Sequence, residues 1–131
     1  MINDPIADLL TRIRNAYIAR LEVIKLPYSK IKEQILKILV KNKYIISVEI
    51  EDLWNNKKDL VVNLNNVRIT KYIPTLKRIS KPGQRIYIKS TDIKKSRNWL
   101  GIYILSTPKW LITGYEARSL NVWGELLCEI F

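Results

Sequence analysis

Ser106 and Thr107 set two short hydroxyl side chains in succession, followed by Pro108 and Lys109, directly after the apolar run Ile102 to Leu105. A hydroxyl both donates and accepts, so the pair can meet a ribose 2′-OH or a base edge where a lysine only neutralises a phosphate. At the end of a strand such groups are held in place without the entropy loss of a flexible loop. By itself Ser-Thr in a turn is a weak signal, because most such pairs bond their own backbone. A second group surrounds Lys81-Pro82-Gly83, where Arg78, Lys81 and Arg85 crowd a turn and Tyr87 sits beside it. Cations for phosphates and a ring for an exposed base suit a non-helical RNA element. Taken alone, that hairpin favours the ordinary alternative, in which Tyr87 packs on a sheet.

Composition narrows the class. The chain has 131 residues, with 23 Lys and Arg against 12 Asp and Glu, a net charge of +11. An excess of that size points to a polyanion, since each cation placed on a phosphate releases counterions. A membrane surface is the alternative, but no run approaches the roughly 18 apolar residues of a span, and no signal peptide or lipidation motif is present. There is no histidine and a single cysteine, Cys128, in an apolar run. The usual general base and the commonest zinc ligand are therefore missing, and the thiol reads as a buried, inert one. No enzyme and no cofactor is expected.

The elements that must position these groups follow from local patterning. Asp4 caps a first helix with Pro5 at its first position. Ile6, Leu9, Leu10, Ile13 and Tyr17 make one helical face. Arg12 and Arg14 fall elsewhere on that helix, either as a solvated basic face or as a contact for RNA or a neighbouring protein. Glu22 to Leu26 reads as a strand stopped by Pro27. Ser29 caps a second helix with Ile31, Ile35, Ile38 and Leu39 as its buried stripe, and Asn42 stops it. Tyr44 to Leu53 and Leu60 to Leu64 are partner strands about a polar turn at residues 54–57. Asn65-Asn66 and Pro74 mark a break, which divides the chain at residues 1–66 and 67–131.

Beyond the break, Leu76 to Ser80 and Arg85 to Lys89 read as a hairpin, with Pro82 and Gly83 supplying the turn geometry. Lys94, Lys95 and Arg97 read as a solvated helical turn. Ile102 to Ser106, a tight turn and a second short strand then lead to a helix capped by Thr113, with Glu116 three residues on reaching back to the cap. That helix carries Arg118. Leu126 to Phe131 closes the sequence as a strand. The fold class expected is α+β, an N-terminal α-β-α-β-β lobe packed on a C-terminal β-rich lobe with short helices.

Three blocks now carry a resemblance. Leu-Ser-Thr-Pro-Lys (105–109), Thr-Gly-x-Glu-Ala-Arg (113–118) and Gly-Glu-Leu-Leu-Cys (124–128) are similar to the C-terminal signature of the small-subunit ribosomal protein S-eight family. Asn3-Asp4-Pro5-Ile6-Ala7-Asp8 with Leu-Thr-Arg-Ile-Arg-Asn (10–15) resembles that family's opening, and the stretch from Arg78 to Tyr87 its middle block. The resemblance implies that Ser106, Thr107 and Lys109, the Tyr87 hairpin and the Gly124-Glu125 turn form a surface gripping a helix of the small-subunit rRNA central domain. It further implies neighbouring small-subunit proteins as partners, a place on a cytoplasmic, bacterial ribosome with an organellar one as alternative, and repression of its own operon mRNA. A free-standing RNA-binding translational regulator is the rival reading.

Trp54, Trp99, Trp110 and Trp123 stand where glycine would be natural in turns, and for the last three the family it resembles commonly has glycine. Such turns often need a positive φ, which a bulky residue resists. The expectation is that these codons are UGA, translated as tryptophan but read by the source organism as glycine. The alternative is real indoles that pack or stack on bases.

Overall fold

A computed structural model describes residues 4–64, 74–93, 101–108 and 110–131. The chain forms two compact units: residues 11–73, and residues 1–10 together with 74–131. The expected division at 66/67 lies outside the described residues, as do Lys94, Lys95, Arg97, Trp99 and Lys109.

Helix α1 (Pro5–Ile18) crosses from one unit to the other. Asp4 Oδ1 accepts from the N–H groups of Ile6 and Ala7, both at 3.2 Å, which satisfies two of the donors a helix start leaves without partners. Ile6, Leu9, Leu10, Ile13 and Tyr17 are all buried, as their spacing requires. The Tyr17 hydroxyl donates to the carbonyl of Tyr44. Next come β1 (Val23–Pro27) and α2 (Lys30–Lys41). Pro27 is the last residue of β1 rather than its stop. On this edge strand, the missing N–H breaks no ladder.

Ser29 is the N-cap of α2 with extended backbone, but its hydroxyl makes no cap bond. The buried face is Lys32, Ile35, Leu36 and Leu39, while Ile31 and Ile38 are half-buried. The stripe is thus rotated from the expected one: residue type pointed to the isoleucines, but one face holds 32, 35, 36 and 39, and a lysine stem is apolar enough to lie on it. Asn42 ends the helix, its Nδ2 donating to the Ile38 carbonyl at 2.8 Å. Strands β2 (Ile45–Asp52) and β3 (Lys58–Leu64) form a hairpin, and the sheet order is β1-β3-β2, all antiparallel. Alternation along β3 buries Leu60, Val62 and Leu64.

The other unit holds β4 (Leu76–Arg78), β5 (Tyr87–Ile88), a 3₁₀ turn (Ser90–Asp92), β6 (Ile102–Ser106), β7 (Leu111–Thr113), α3 (Gly114–Leu120) and β8 (Gly124–Ile130). β8 is central, with β6 and then β7 on one side and β4 and β5 in tandem on the other. Ile93, Leu105, Ile112 and Ala117 form a core cluster beneath α3 and the sheet.

The expected hairpin is corrected here. β4 and β5 do not pair with each other. Leu76 to Arg78 pairs with Ile130 to Cys128, and Tyr87 and Ile88 pair with Glu125 and Gly124. Between them the chain leaves the edge of β8 as a loop, with a single bridge at its tip between Lys81 and Gln84. Ser80 pinches the base of this loop: its hydroxyl accepts from the Ile86 N–H at 3.1 Å and donates to Glu125 Oε2 at 2.6 Å. Gly83 does not take a positive φ, so the turn does not draw on that freedom.

Cys128 is fully buried in β8, and burial pushes its thiol up to about 12 against the opposing charge of Arg78. At α3, Thr113 Oγ1 accepts from the Glu116 N–H at 3.2 Å, and the Glu116 carboxylate returns to the threonine hydroxyl rather than to its N–H.

The strain expected of the tryptophan turns is not found at the described ones. None of Trp54, Trp110 and Trp123 has a positive φ; among the described residues the left-handed positions are Arg20, Lys43, Asn55, Asn56 and Asn121. Asparagine tolerates that conformation, so Asn55-Asn56 carry the β2–β3 turn and Asn121 the end of α3 beside the indoles.

Candidate nucleic-acid interface

The register of the second sheet assembles the site. Ser106 on β6 lies opposite Glu125 on β8, and Glu125 lies opposite Tyr87 on β5. Residues opposite one another on antiparallel strands project from one face, so Tyr87, Glu125 and Ser106 form a row about 10 Å across. Two loops flank this row, the Lys81–Gln84 tip and the turn from Ser106 to Leu111.

Gly124 sets how closely β6 and β8 approach. A Cβ on it would stand 2.7 Å from the Ser106 carbonyl oxygen and 3.4 Å from Thr107 Cγ2. Only glycine fits there, and any side chain would displace the hydroxyl turn.

Thr107 closes its own turn. Its hydroxyl donates to the Trp110 carbonyl at 2.7 Å and accepts from the Trp110 N–H at 3.2 Å, while its own N–H donates to the same carbonyl. This local bonding is the weak reading of a Ser-Thr pair, realised at one of its two members. For the half-buried Ser106, no hydrogen bond to the hydroxyl is present among the described residues. Pro108 is exposed in the same turn.

The charged residues divide by role. Glu125 receives Ser80 and, at 3.2 Å, Nη1 of Arg85, so its carboxylate is a clamp for the 80–86 loop. Arg85 remains half-exposed on the outer side of that pair. Arg78 is largely buried: its Nε pairs with Asp4 at 3.1 Å and its Nη1 donates to the Leu127 carbonyl. It ties the start of α1 to β4 and β8 and is not brought to the surface. Lys81 is exposed at the loop tip and Arg118 on α3. Arg12 and Arg14 are exposed on the part of α1 that belongs to the other unit. Sequence reasoning missed Lys89 and Asn121, which line a cleft with Tyr87 and Trp123. The signal for them was an exposed aromatic just before β8.

Among the described residues no helix is long and apolar enough to cross a membrane, and no group of acidic, cysteine or histidine side chains could hold a metal.

For this mixed α+β chain with a net charge of +11, direct comparison supplies the family. The family model described as Ribosomal protein S8 matches residues 4–131. The chain is 47% identical over 131 residues, all of both chains, to the "Small ribosomal subunit protein uS8" of Nitratidesulfovibrio vulgaris, and equally so to that of Oleidesulfovibrio alaskensis. To that of Cereibacter sphaeroides it is 42% identical over 130 residues, covering 99% of this chain and 98% of the relative. The chain belongs to the ribosomal protein S8 family, a family of structural, non-enzymatic components of the ribosome.

Proposed function

We propose that this protein is a constituent of the small ribosomal subunit that binds rRNA of the central domain directly and helps to assemble that part of the subunit. The observation that carries the reading is the row Tyr87, Glu125, Ser106 across three adjacent strands, with Gly124 holding the Ser106 turn against β8. Lys81 and Arg85, with Arg118 and Lys109, supply phosphate contacts, and Ser106 and the Thr107 turn supply shape and hydroxyl contacts. Arg12 and Arg14 would meet RNA or a neighbouring small-subunit protein. The relatives above come from bacteria, which supports a bacterial, cytoplasmic ribosome. Repression of its own operon mRNA through the same surface belongs to this reading.

Titration of the full chain against a central-domain rRNA fragment tests the proposal. Three to four phosphate contacts give a fall of log affinity with log salt of roughly 2 to 4. Ser106→Ala should reduce cognate over unrelated RNA, and Lys81→Ala should weaken both alike. A flat salt response, or equal losses on both RNAs in both variants, would sink it. Co-sedimentation with small subunits separates it from a free-standing regulator.

A further inference from the structure

Next to the row described above lies a cleft of about 620 Å³ lined by Tyr87, Lys89, Ser90, Asn121 and Trp123, among others. Its walls are two exposed rings. Tyr87 and Trp123 have centroids 6.3 Å apart and planes inclined at 59°, a tilted contact in which the rings brace each other. Tyr87 is 62% and Trp123 56% exposed, high for rings of this size in a folded unit. The floor is fixed by polar contacts: the Ser90 hydroxyl donates to Asn121 Oδ1, and Asn121 is locked in the left-handed conformation that ends α3. With its carbonyl taken by Ser90, the Asn121 side chain has its amide N–H groups to offer. Asn121 and Trp123 also line a second concavity of about 420 Å³, together with Thr107, Pro108, Trp110 and Val122.

We propose that this cleft is a binding site for one unstacked nucleobase of the RNA, which stacks on the face of Trp123, with its backbone phosphate on Lys89. The proposal rests on the RNA-binding reading and adds a single-stranded contact to it. Three features on the same few residues select a nucleotide over an apolar peptide. Among the described residues Lys89 is the one charged side chain lining the cleft, and the whole chain carries +11, which favours an anionic ligand. Trp123, Tyr87 and Trp110, all at least half exposed, offer aromatic faces on which bases stack whatever their sequence. The Asn121 amide supplies donors for a carbonyl or ring nitrogen on a base edge. A strand leaving the cleft over Trp123 arrives at the Thr107 turn, so the new contact is continuous with the proposed surface.

The test is titration of the full chain with short oligouridylate and oligoadenylate, read by indole fluorescence, beside the structured central-domain fragment. Quenching on oligonucleotide binding is expected, with affinity falling about tenfold or more in Trp123→Ala and largely recovered in Trp123→Phe. Lys89→Ala should weaken oligonucleotide binding and flatten its salt dependence. The melting temperature of Trp123→Ala should stay near that of the parent chain; if it falls, Trp123→Phe and Lys89→Ala decide in its place. Equal oligonucleotide affinity in parent, Trp123→Ala and Lys89→Ala, with the structured fragment still bound, overturns the cleft and leaves the rRNA reading standing. Failure of every RNA to bind removes that reading itself. Quenching by an added protein and by no RNA also overturns the proposal. So does an intact mass of the native protein that places glycine at the tryptophan positions.

Discussion

Replacing Gly124 by alanine adds one methyl group at the tightest point of the site. The new Cβ would lie 2.7 Å from the Ser106 carbonyl oxygen and 3.3 Å from its carbon, both backbone atoms. Carbon–oxygen contacts begin at about 3.3 Å, so the strands must part by roughly 0.6 Å. No side chain can swing away to make room. Overpacking of this kind costs about 1–3 kcal/mol, against which alanine returns about 0.4–1 kcal/mol by restricting the unfolded chain. A net loss of about 1–2 kcal/mol corresponds, for a chain of this size, to a melting temperature lower by roughly 4–8 °C. Because the displaced atoms belong to Ser106, affinity for the central-domain fragment should fall even well below the melting point. Gly83→Ala is the internal control. No heavy atom lies within 4 Å of its built Cβ and its φ is not positive, so stability should be unchanged or slightly raised. Thermal melts followed by circular dichroism, with RNA titrations at a fixed low temperature, read both variants. If Gly124→Ala melted with the parent and bound RNA equally, the close approach of β8 to the Ser106 turn would not matter, and the reasoning would be wrong.

Glu125→Gln keeps an acceptor for the Ser80 hydroxyl but releases Arg85 from its ion pair. Unrelated RNA should then bind more tightly and the salt slope steepen by about one; an unchanged slope would mean that Arg85 never meets a phosphate. Cys128, with its thiol held near 12 by burial, should resist alkylation at pH 8 in the native protein and react at once on unfolding, and rapid native labelling would contradict its burial. A fragment of residues 1–66 leaves Asp4 without Arg78 and separates the first ten residues from the unit they belong to. It should melt broadly and at low temperature, and a sharp cooperative transition would count against this.

What could be read from the sequence was local. Asp4-Pro5 with the spacing from Ile6 to Tyr17 dictated α1, Thr113 with Glu116 dictated the start of α3, and the Ser106–Trp110 turn lies where an apolar run meets proline. What escaped was set at a distance. Lys-Pro-Gly at 81–83 looks like a hairpin because its flanks are strand-like, but those flanks find a better partner in β8, about 50 residues on for β4 and about 40 for β5. Arg78 looks like a phosphate ligand because charge alone says nothing of burial, and its partner Asp4 is 74 residues away. The turns near the tryptophans looked strained because the neighbouring asparagines were not credited with the left-handed positions. Of the candidate site, the two loops were visible in the sequence. Their convergence was not, since it depends on which residue of β8 faces Ser106 and Tyr87.

The placement of β8 also governs the order in which this unit can fold. The middle strand of the sheet is the last of its strands along the chain, so among the described residues β4 and β5 have no strand partner, and β6 only β7, until β8 arrives. Among the described elements, β6, β7 and α3 can form from near neighbours. Closing the rest requires a loop of about 50 residues between Leu76 and Ile130, an entropy cost met before any ladder bond rewards it. Docking of β8 is therefore the cooperative event that makes the two loops one surface. In native-state hydrogen exchange the amides of β8 that pair with β4 and with β6 should open together, with the protection of the whole unit.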